Sequence, residues 1–124
     1  MKSASRKAKG RKLQNAIRDD LRSLGSWYGL VDGDVEARQM GGVGVDIILS
    51  PRAKRVLPFD IECKNQEALN VFAEYMKHYQ KYRKTKNLKI LIHSKNRSET
   101  LVTMRWKTFK SLFESLLHYC DGKV

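Results

Sequence analysis

Residues 45–64, VDIILSPRAKRVLPFDIECK, decide the fold that we predict for this chain. Two β-like runs, residues 45–50 and 56–64, flank a basic turn segment. Strand side chains alternate between two faces, so an antiparallel hairpin with Asp46 opposite Glu62 would place Asp46, Glu62 and Lys64 on one face. Opposite or diagonal partners lie roughly 5–8 Å apart, a spacing that a divalent cation can bridge. A slip of one residue would separate these side chains, so the hypothesis depends on register.

The segments on either side of this stretch alternate between helical and strand patterns. Before it, an apolar stripe predicts a helix from Arg11 to a stop at Gly25, and the glycine-rich residues 25–44 predict a loop with a short strand at 35–40. After it, we expect a helix over 66–83, strands at 88–93 and 101–106, and a final amphipathic helix. This order predicts an α+β fold in which helices flank a small mixed sheet.

Two of these helices carry apolar faces that we expect to be buried. The first has Leu13, Ile17, Leu21 and Leu24, and the face of the 66–83 helix is predicted to contain Leu69, Phe72, Ala73, Met76 and Tyr79. The tyrosines Tyr75, Tyr79 and Tyr82 are either core residues or a stacking surface for bases. The last helix repeats apolar residues at i, i+3 and i+4: Phe109, Leu112, Phe113, Leu116, Leu117 and Cys120.

The charge distribution indicates a polyanionic partner. The chain has 124 residues and a formal net charge of +12, and the length fits one domain at 11–124 after a flexible basic arm at 1–10. Residues 1–24 carry +6 and residues 77–97 carry +8, which leaves −2 for the remainder. Such basic blocks suit nucleic acid, although a merely soluble basic surface would have the same composition.

Other residue types exclude several classes of protein. We interpret Cys63 and Cys120 as small core residues, since their spacing fits neither a zinc site nor a disulfide framework. The three histidines are scattered without the spacing of ligands or of a triad. No apolar run approaches the ~18 residues of a membrane span, so we expect an intracellular, cytoplasmic protein without a membrane partner.

Several polar residues near the acidic stretch have two interpretations. Gln14 borders the stripe of the first helix, where it either points toward the hairpin or is an ordinary surface glutamine. Arg38 and the glycines at 41–44 precede Asp46, and they either contact a phosphate or form a flexible connector. Asp32, Asp34 and Glu36 are predicted to be turn residues, because the later glutamate of a calcium loop is missing.

Asp46, followed 16 residues later by Glu62-Cys63-Lys64, resembles the D…(D/E)xK signature of the PD-(D/E)xK nuclease superfamily. Four further segments resemble small phage-type Holliday junction resolvases: GRKLQ at 10–14, GVDIILSP at 44–51, PFDIECKNQEALNV at 58–71 and KNRSET at 95–100. The chain has Val45 where the superfamily often has proline. It has Gln14 where archaeal-type resolvases carry a glutamate.

The resemblance implies a restriction-endonuclease-like αβββαβ core and a Mg²⁺-dependent DNA endonuclease, with Mn²⁺ as a substitute metal, which hydrolyses phosphodiester bonds in recombination. Asp46, Glu62 and the backbone carbonyl of Cys63 would bind the metal, while Lys64 and Gln14 would assist catalysis. The implied DNA-binding residues are Arg11, Lys12, Arg38, Ser50, Arg52, Lys54, Arg55, Asn65, Lys95 and Arg97.

The resemblance further implies that a homodimer makes paired cuts in a four-way junction, in a host cytoplasm if the chain is phage-encoded. Two alternatives stay open: a general or nicking nuclease of the same superfamily, and a non-catalytic basic nucleic-acid-binding protein.

Overall fold

A computed structural model of the protein describes residues 2–39 and 41–121, with side chains described for 5–39 and 41–120. The elements follow in the order α1 (Lys2–Ser26), a 3₁₀ turn (Asp32–Asp34), β1 (Val35–Ala37), β2 (Ile47–Leu49), α2 (Pro51–Val56), β3 (Phe59–Asn65), α3 (Val71–Lys81), β4 (Leu88–Ser94), β5 (Leu101–Thr103) and α4 (Trp106–Asp121). The predicted α+β class is confirmed.

The described residues contain two small sheets. β1 and β2 pair antiparallel, with Glu36 opposite Ile48. The second sheet has the order β3-β4-β5, in which β3 and β4 are parallel and β4 and β5 are antiparallel. The parallel pair is possible because α3 returns the chain to the start of the sheet. β4 is central, as its apolar sequence predicts.

The predicted hairpin of residues 45–64 is wrong. β2 pairs with β1, and helix α2 replaces the expected turn between β2 and β3. The sequence Ser50-Pro51 explains the helix, since the Ser50 side chain accepts a hydrogen bond from the Ala53 N–H and Pro51 occupies the first turn. Serine at the N-cap and proline at the first position are strong signals of a helix start.

The core lies between α1 and the two sheets. Leu13 and Ile17 of α1 share one buried cluster with Ile47 of β2 and Ile61 of β3. Leu24 is 58% exposed, so the buried stripe of α1 ends before it. The prediction that this helix begins at Arg11 is also wrong. Residues 2–10 form the first turns of α1. The flexibility predicted for the arm at 1–10 stays a prediction, and Met1 lies outside the described residues.

The buried face of α3 differs from the predicted one. Tyr75 and His78 are buried, whereas Phe72 is 78% exposed. The Tyr75 hydroxyl donates to the carbonyl of Lys89 at 2.9 Å, and His78 Nε2 lies 2.9 Å from the carbonyl of Asp60. The Tyr75 hydroxyl and the His78 ring therefore face the sheet, because they form hydrogen bonds with its backbone. The spacing of apolar residues does not reveal such contacts.

Helix α4 forms as predicted, but its apolar stripe is largely uncovered. Phe109, Phe113, Leu116 and Leu117 are each about half exposed. Cys120 is exposed, so its prediction as a core residue is wrong, while Cys63 is buried as expected. Among the described residues, no helix is both long enough and apolar enough to cross a membrane.

Candidate active site

Asp46 lies against the middle of β3. Its backbone N–H donates to the carbonyl of Ile61 at 3.1 Å, and its Oδ2 accepts a hydrogen bond from the backbone N–H of Cys63 at 2.7 Å. These two bonds flank Glu62, so the carboxyl groups of Asp46 and Glu62 lie together. The predicted hairpin was expected to bring Asp46 beside Glu62. In the structure these two hydrogen bonds do so, without a continuous pairing of β2 with β3.

The backbone carbonyl of Cys63 points toward the same edge of β3 as Asp46. In a strand, the N–H and C=O groups of one residue point to the same side, and the N–H of Cys63 is bound to Asp46. The thiol instead faces the core, where burial, followed by the charges of Asp46 and Glu62, raises its pKa. The oxygen of this residue, and not its sulfur, therefore completes the group of hard donors.

Glu62 is held in an environment that disfavours its charge. Burial raises the pKa of Glu62 to about 8, and the hydrogen bond and negative charge of Asp46 act in the same direction. Lys64 and Lys81 oppose this rise with their positive charges. Glu62 therefore retains its proton near neutral pH, and a cation that replaced this proton would offset the negative charge of the carboxylates.

His78 is a site residue that the sequence did not reveal. Its Nδ1 lies 3.7 Å from Glu62 Oε2, and within the described part of the chain this atom has no hydrogen-bond partner. The Asp60 carbonyl can only accept, so Nε2 carries the ring proton and Nδ1 keeps a free lone pair. Burial lowers the pKa of His78, which keeps the ring neutral. A neutral Nδ1 can orient Glu62 or a water beside it.

Neither Lys81 nor His78 belongs to a recognisable spacing motif. His78 follows Tyr75 by three residues, and both bind the backbone of the sheet, so a polar stripe on α3 was the available signal. Lys81 was visible only as part of the basic block at 77–97. Both residues reach Glu62 because α3 covers the face of β3 to which Glu62 belongs.

Lys64 lies two residues after Glu62 on the same face of β3, beside a cleft of about 490 Å³. Arg6 and Lys9 of α1 line the other side of this cleft. The Asn65 side chain donates to the carbonyl of Lys9 at 3.5 Å, which ties the helix to the end of the strand. The cleft therefore presents basic groups beside Cys63 and Lys64, which directly follow Glu62 on β3.

A second cleft, of about 360 Å³, lies between α1 and β1 and contains Gln14, Arg11 and Arg38. Gln14 is buried on the helix that covers the opposite face of β3 from Glu62, since Leu13 and Ile61 share one core cluster. The structure thus groups Gln14 with the arginines of this cleft.

Arg38 connects the second cleft to Asp46. Its backbone N–H donates to the carbonyl of Asp46 at 2.8 Å, and its Nε donates to the carbonyl of Val45 at 2.7 Å. A Cβ atom at Gly44 would lie 2.7 Å from Arg38 Nη2, and Gly44 has a φ of 123°. The glycine is therefore needed for this close approach. Arg38 supports the backbone that positions Asp46.

Four predicted DNA-binding residues lie at the other end of β2. Ser50 follows Asp46 by four residues, about 13 Å along an extended strand. Its hydroxyl donates to Asp34 Oδ1 at 2.8 Å and accepts from Ala53, so it is occupied as a helix cap. Arg52 donates to the carbonyl of Gly29. Lys54 and Arg55 are exposed on α2, away from the carboxylates.

The turn after β4 lies at the same end of the sheet as Lys64. Asn65 pairs with Ser94 across the parallel strands, so Lys95 and Arg97 follow at that edge, where both are exposed. Arg97 has a φ of 56°, which fixes the reversal of the chain. Lys12 is exposed on α1.

Asp34 serves the turn that was predicted for it. Its Oδ2 accepts from the Val31 N–H and its Oδ1 from Ser50, and these hydrogen bonds lower its pKa.

The donors at the site suit Mg²⁺. In residues 2–39 and 41–121, no group of three or more His, Cys, Asp and Glu side chains could hold a metal ion. Mg²⁺ keeps several waters and is commonly held by one or two carboxylates, so the pair Asp46 and Glu62 with one carbonyl is an adequate set. Burial and the neighbouring Asp46 raise the pKa of Glu62, so a positive charge beside the two carboxyl groups would be favourable.

Comparisons of the chain with protein-family models, with curated proteins and with solved structures found no match.

Proposed function

We propose that this protein is a Mg²⁺-dependent DNA endonuclease with a restriction-endonuclease-like αβββαβ core, of the PD-(D/E)xK type. The observation that carries the proposal is the hydrogen bond from the Cys63 N–H to Asp46 Oδ2, which holds a second carboxyl beside Glu62. Lys64 stands two residues further on the same strand face. α1, β1, β2, β3, α3 and β4 follow in the chain order of that core, with α2 inserted before β3.

Each residue of the site has a distinct role in phosphodiester hydrolysis. Asp46, Glu62 and the Cys63 carbonyl would hold Mg²⁺ or its substitute Mn²⁺. The bound metal would polarise the scissile phosphate and acidify a water. Lys64 orients the attacking water and stabilises negative charge as the phosphate is attacked. His78 would orient Glu62, or a water beside it, from the buried side through the lone pair of Nδ1.

The basic clefts would receive the phosphates on either side of the scissile bond. Arg6 and Lys9 line the cleft next to Lys64, and Arg11 and Arg38 line the cleft next to Gln14. Phosphate contacts fix the position of a duplex without reading its bases. A surface of this kind suits an enzyme that selects the shape of its substrate, and we favour the four-way junction of recombination intermediates.

A cleavage assay tests the proposal. The protein is incubated with a labelled four-way junction, linear duplex and single strand, in Mg²⁺, in Ca²⁺ and in EDTA. We expect paired symmetric nicks in the junction with Mg²⁺ and no cutting in EDTA. Equal cutting of linear DNA would indicate the general nuclease, and binding without cleavage in any divalent ion would indicate a non-catalytic protein.

Substitutions of the carboxylates show whether the cleavage belongs to this site. Asp46→Asn and Glu62→Gln should each lower the cleavage rate at least about 1,000-fold, because one metal ligand is lost. DNA affinity should be retained or improved, since a negative charge facing the phosphates is removed. Glu36→Gln, an exposed acid on β1, is the matched control and should cut at the wild-type rate. Wild-type turnover by Asp46→Asn or Glu62→Gln would refute the site.

A further inference from the structure

Helix α4 exposes a continuous apolar stripe. Trp106 is 71% exposed, Phe109 47%, Phe113 49%, Leu116 54% and Leu117 48%. Of residues 106–120, only Thr108 is buried and only Leu112 is half-buried. The helix therefore presents most of its surface, including its apolar face, to the surroundings.

The aromatic residues of this stripe are already ordered against one another. The rings of Trp106 and Phe109 stack at 5.9 Å with an interplanar angle of 27°, and those of Phe109 and Phe113 stack at 6.1 Å with an angle of 15°. Leu116 and Leu117 continue the stripe toward the end of the helix. The result is one ribbon along the helix, wide enough to receive another helix.

The stripe is larger than a monomer needs to leave exposed. A fully covered aromatic side chain buries about 150–250 Å², so the exposed parts of the three aromatic residues and two leucines amount to about 500 Å² per copy. Two copies that covered each other's stripe would bury about 1,000 Å², which is the lower limit for a specific protein interface. A helix of 16 residues is also marginally stable without tertiary packing.

We propose that α4 is a homodimer interface, in which the stripe from Trp106 to Leu117 packs against the same stripe of a second copy. The charge of the molecule favours this surface. The chain carries +12, and α1 alone contributes eight basic residues against two acids, so most contacts between copies would be repulsive. In α4 the two lysines are balanced by Glu114 and Asp121 in the sequence, which makes this helix neutral.

An antiparallel arrangement about a two-fold axis fits the order of charges within α4. Lys107 and Lys110 lie in the first half of the helix and Glu114 in the second half. Antiparallel pairing places the basic half of one helix beside the acidic half of the other, and it also opposes the two helix dipoles. Phe113 lies near the centre of the stripe, where a two-fold axis brings identical residues together.

Other occupants fit this helix less well. A helix that lies on an anionic membrane carries a strongly basic polar face, whereas the polar residues of α4 include only two lysines and an equal number of acids. Nucleic acid requires positive charge, which this helix lacks and α1 supplies. A second copy needs only self-complementarity.

The mass of the full chain in solution tests the inference without metal or DNA, so its failure is separate from that of the proposed nuclease. We expect light scattering after size exclusion to give a two-chain mass at micromolar concentration. Phe113→Glu should raise the dimer dissociation constant at least about 100-fold, because a buried pair of rings becomes a pair of like charges. Trp27→Glu changes a residue that is 85% exposed outside α4 and should remain dimeric.

A crosslink gives a second readout that does not require a destabilising charge. Phe113→Cys in a Cys120→Ser background should form a disulfide-linked dimer under mild oxidation, and Trp27→Cys in the same background should not. Circular dichroism should give the same helix content for Phe113→Glu and the wild type. A one-chain mass for the wild type up to 100 μM, or a dimer that Phe113→Glu leaves intact, would overturn the inference. Dissociation by Trp27→Glu would also overturn it.

Discussion

Ionisation of Glu62 should destabilise the fold when no divalent cation is present. Burial and the neighbouring Asp46 raise the pKa of Glu62 from 4.5 to about 8, so the folded protein holds a proton that the unfolded chain releases. Because the folded state binds more protons in this range, the free energy of unfolding falls as pH rises toward 8. His78 has the opposite effect below its ordinary pKa of 6.5, since burial lowers its pKa.

The effect of Glu62 on the free energy of unfolding is therefore clearest between pH 6.5 and pH 8. Each pH unit costs about 1.4 kcal/mol while the folded state retains the extra proton, which gives about 2 kcal/mol over the window. The Glu62 side chain is 20% exposed, so solvent weakens the effect only modestly. For a chain of this size, 2 kcal/mol corresponds to a fall in Tm of about 6–8 °C.

Thermal melts by circular dichroism in EDTA measure this difference, with Glu62→Gln as the reference. Glutamine keeps the shape of the side chain and does not ionise, so the Tm of the variant should change less over the window. Addition of 10 mM Mg²⁺ at pH 8 should restore the Tm of the wild type and leave the variant unchanged, because ligands stabilise the state that binds them. If the Tm values of the two proteins fell equally between pH 6.5 and pH 8, the raised pKa of Glu62 would be refuted.

Three further substitutions test separate parts of the structure. Lys89→Met should lower the free energy of unfolding by about 3–5 kcal/mol in a denaturant titration, because buried Asp60, 3.5 Å from Lys89 Nζ, loses its positive partner. Gly44→Ala should reduce cleavage about tenfold by displacing Arg38 from the backbone beside Asp46, as measured by the single-turnover rate. Gln14→Ala should leave the Tm within about 2 °C and raise KM for DNA more than it lowers kcat, since Gln14 lines an arginine cleft.

Each of these has a matched control. Lys86→Met removes an exposed lysine and should leave stability unchanged. Gly33→Ala meets no atom within 4 Å and should cut at the wild-type rate. Gln39→Ala changes an exposed glutamine at the rim of the same cleft, so its effect on KM should be smaller than that of Gln14→Ala. If a control variant changed stability, cleavage rate or KM as much as its test variant, the role assigned to the test residue would be rejected.

Asp46 and Glu62 lie together as strand alternation and the assumed register predicted, although the predicted hairpin is wrong. Asp46 reaches β3 through two hydrogen bonds at the start of β2, and the rest of β2 pairs with β1. Side chains alternate between the two faces of a strand, so Asp46 and Glu62 both lie on the face away from their neighbours Ile47 and Ile61. The sequence also contained the signal that excludes the hairpin, since Ser50-Pro51 starts a helix.

The buried face of α3 was not predictable from apolar spacing. Phe72 and His78 belong to different faces of that helix, and hydrophobicity favours the face with Phe72. The structure buries His78 and Tyr75 because the carbonyls of Asp60 and Lys89 provide hydrogen-bond partners for their polar tips. The sequence does not show that these carbonyls would lie next to α3. The hydrogen bonds that offset the desolvation cost of burying His78 and Tyr75 could therefore not be predicted.

Helix α4 shows a second limit of patterning. Its spacing correctly predicts an amphipathic helix, and the same spacing led us to interpret Cys120 on this stripe as a core residue. The apolar face of an amphipathic helix has to pack against another apolar surface. That surface can belong to the core of the same chain or to a second copy. In a chain of +12, the neutral charge of α4 is consistent with the proposed contact between two copies, because it adds no repulsion there.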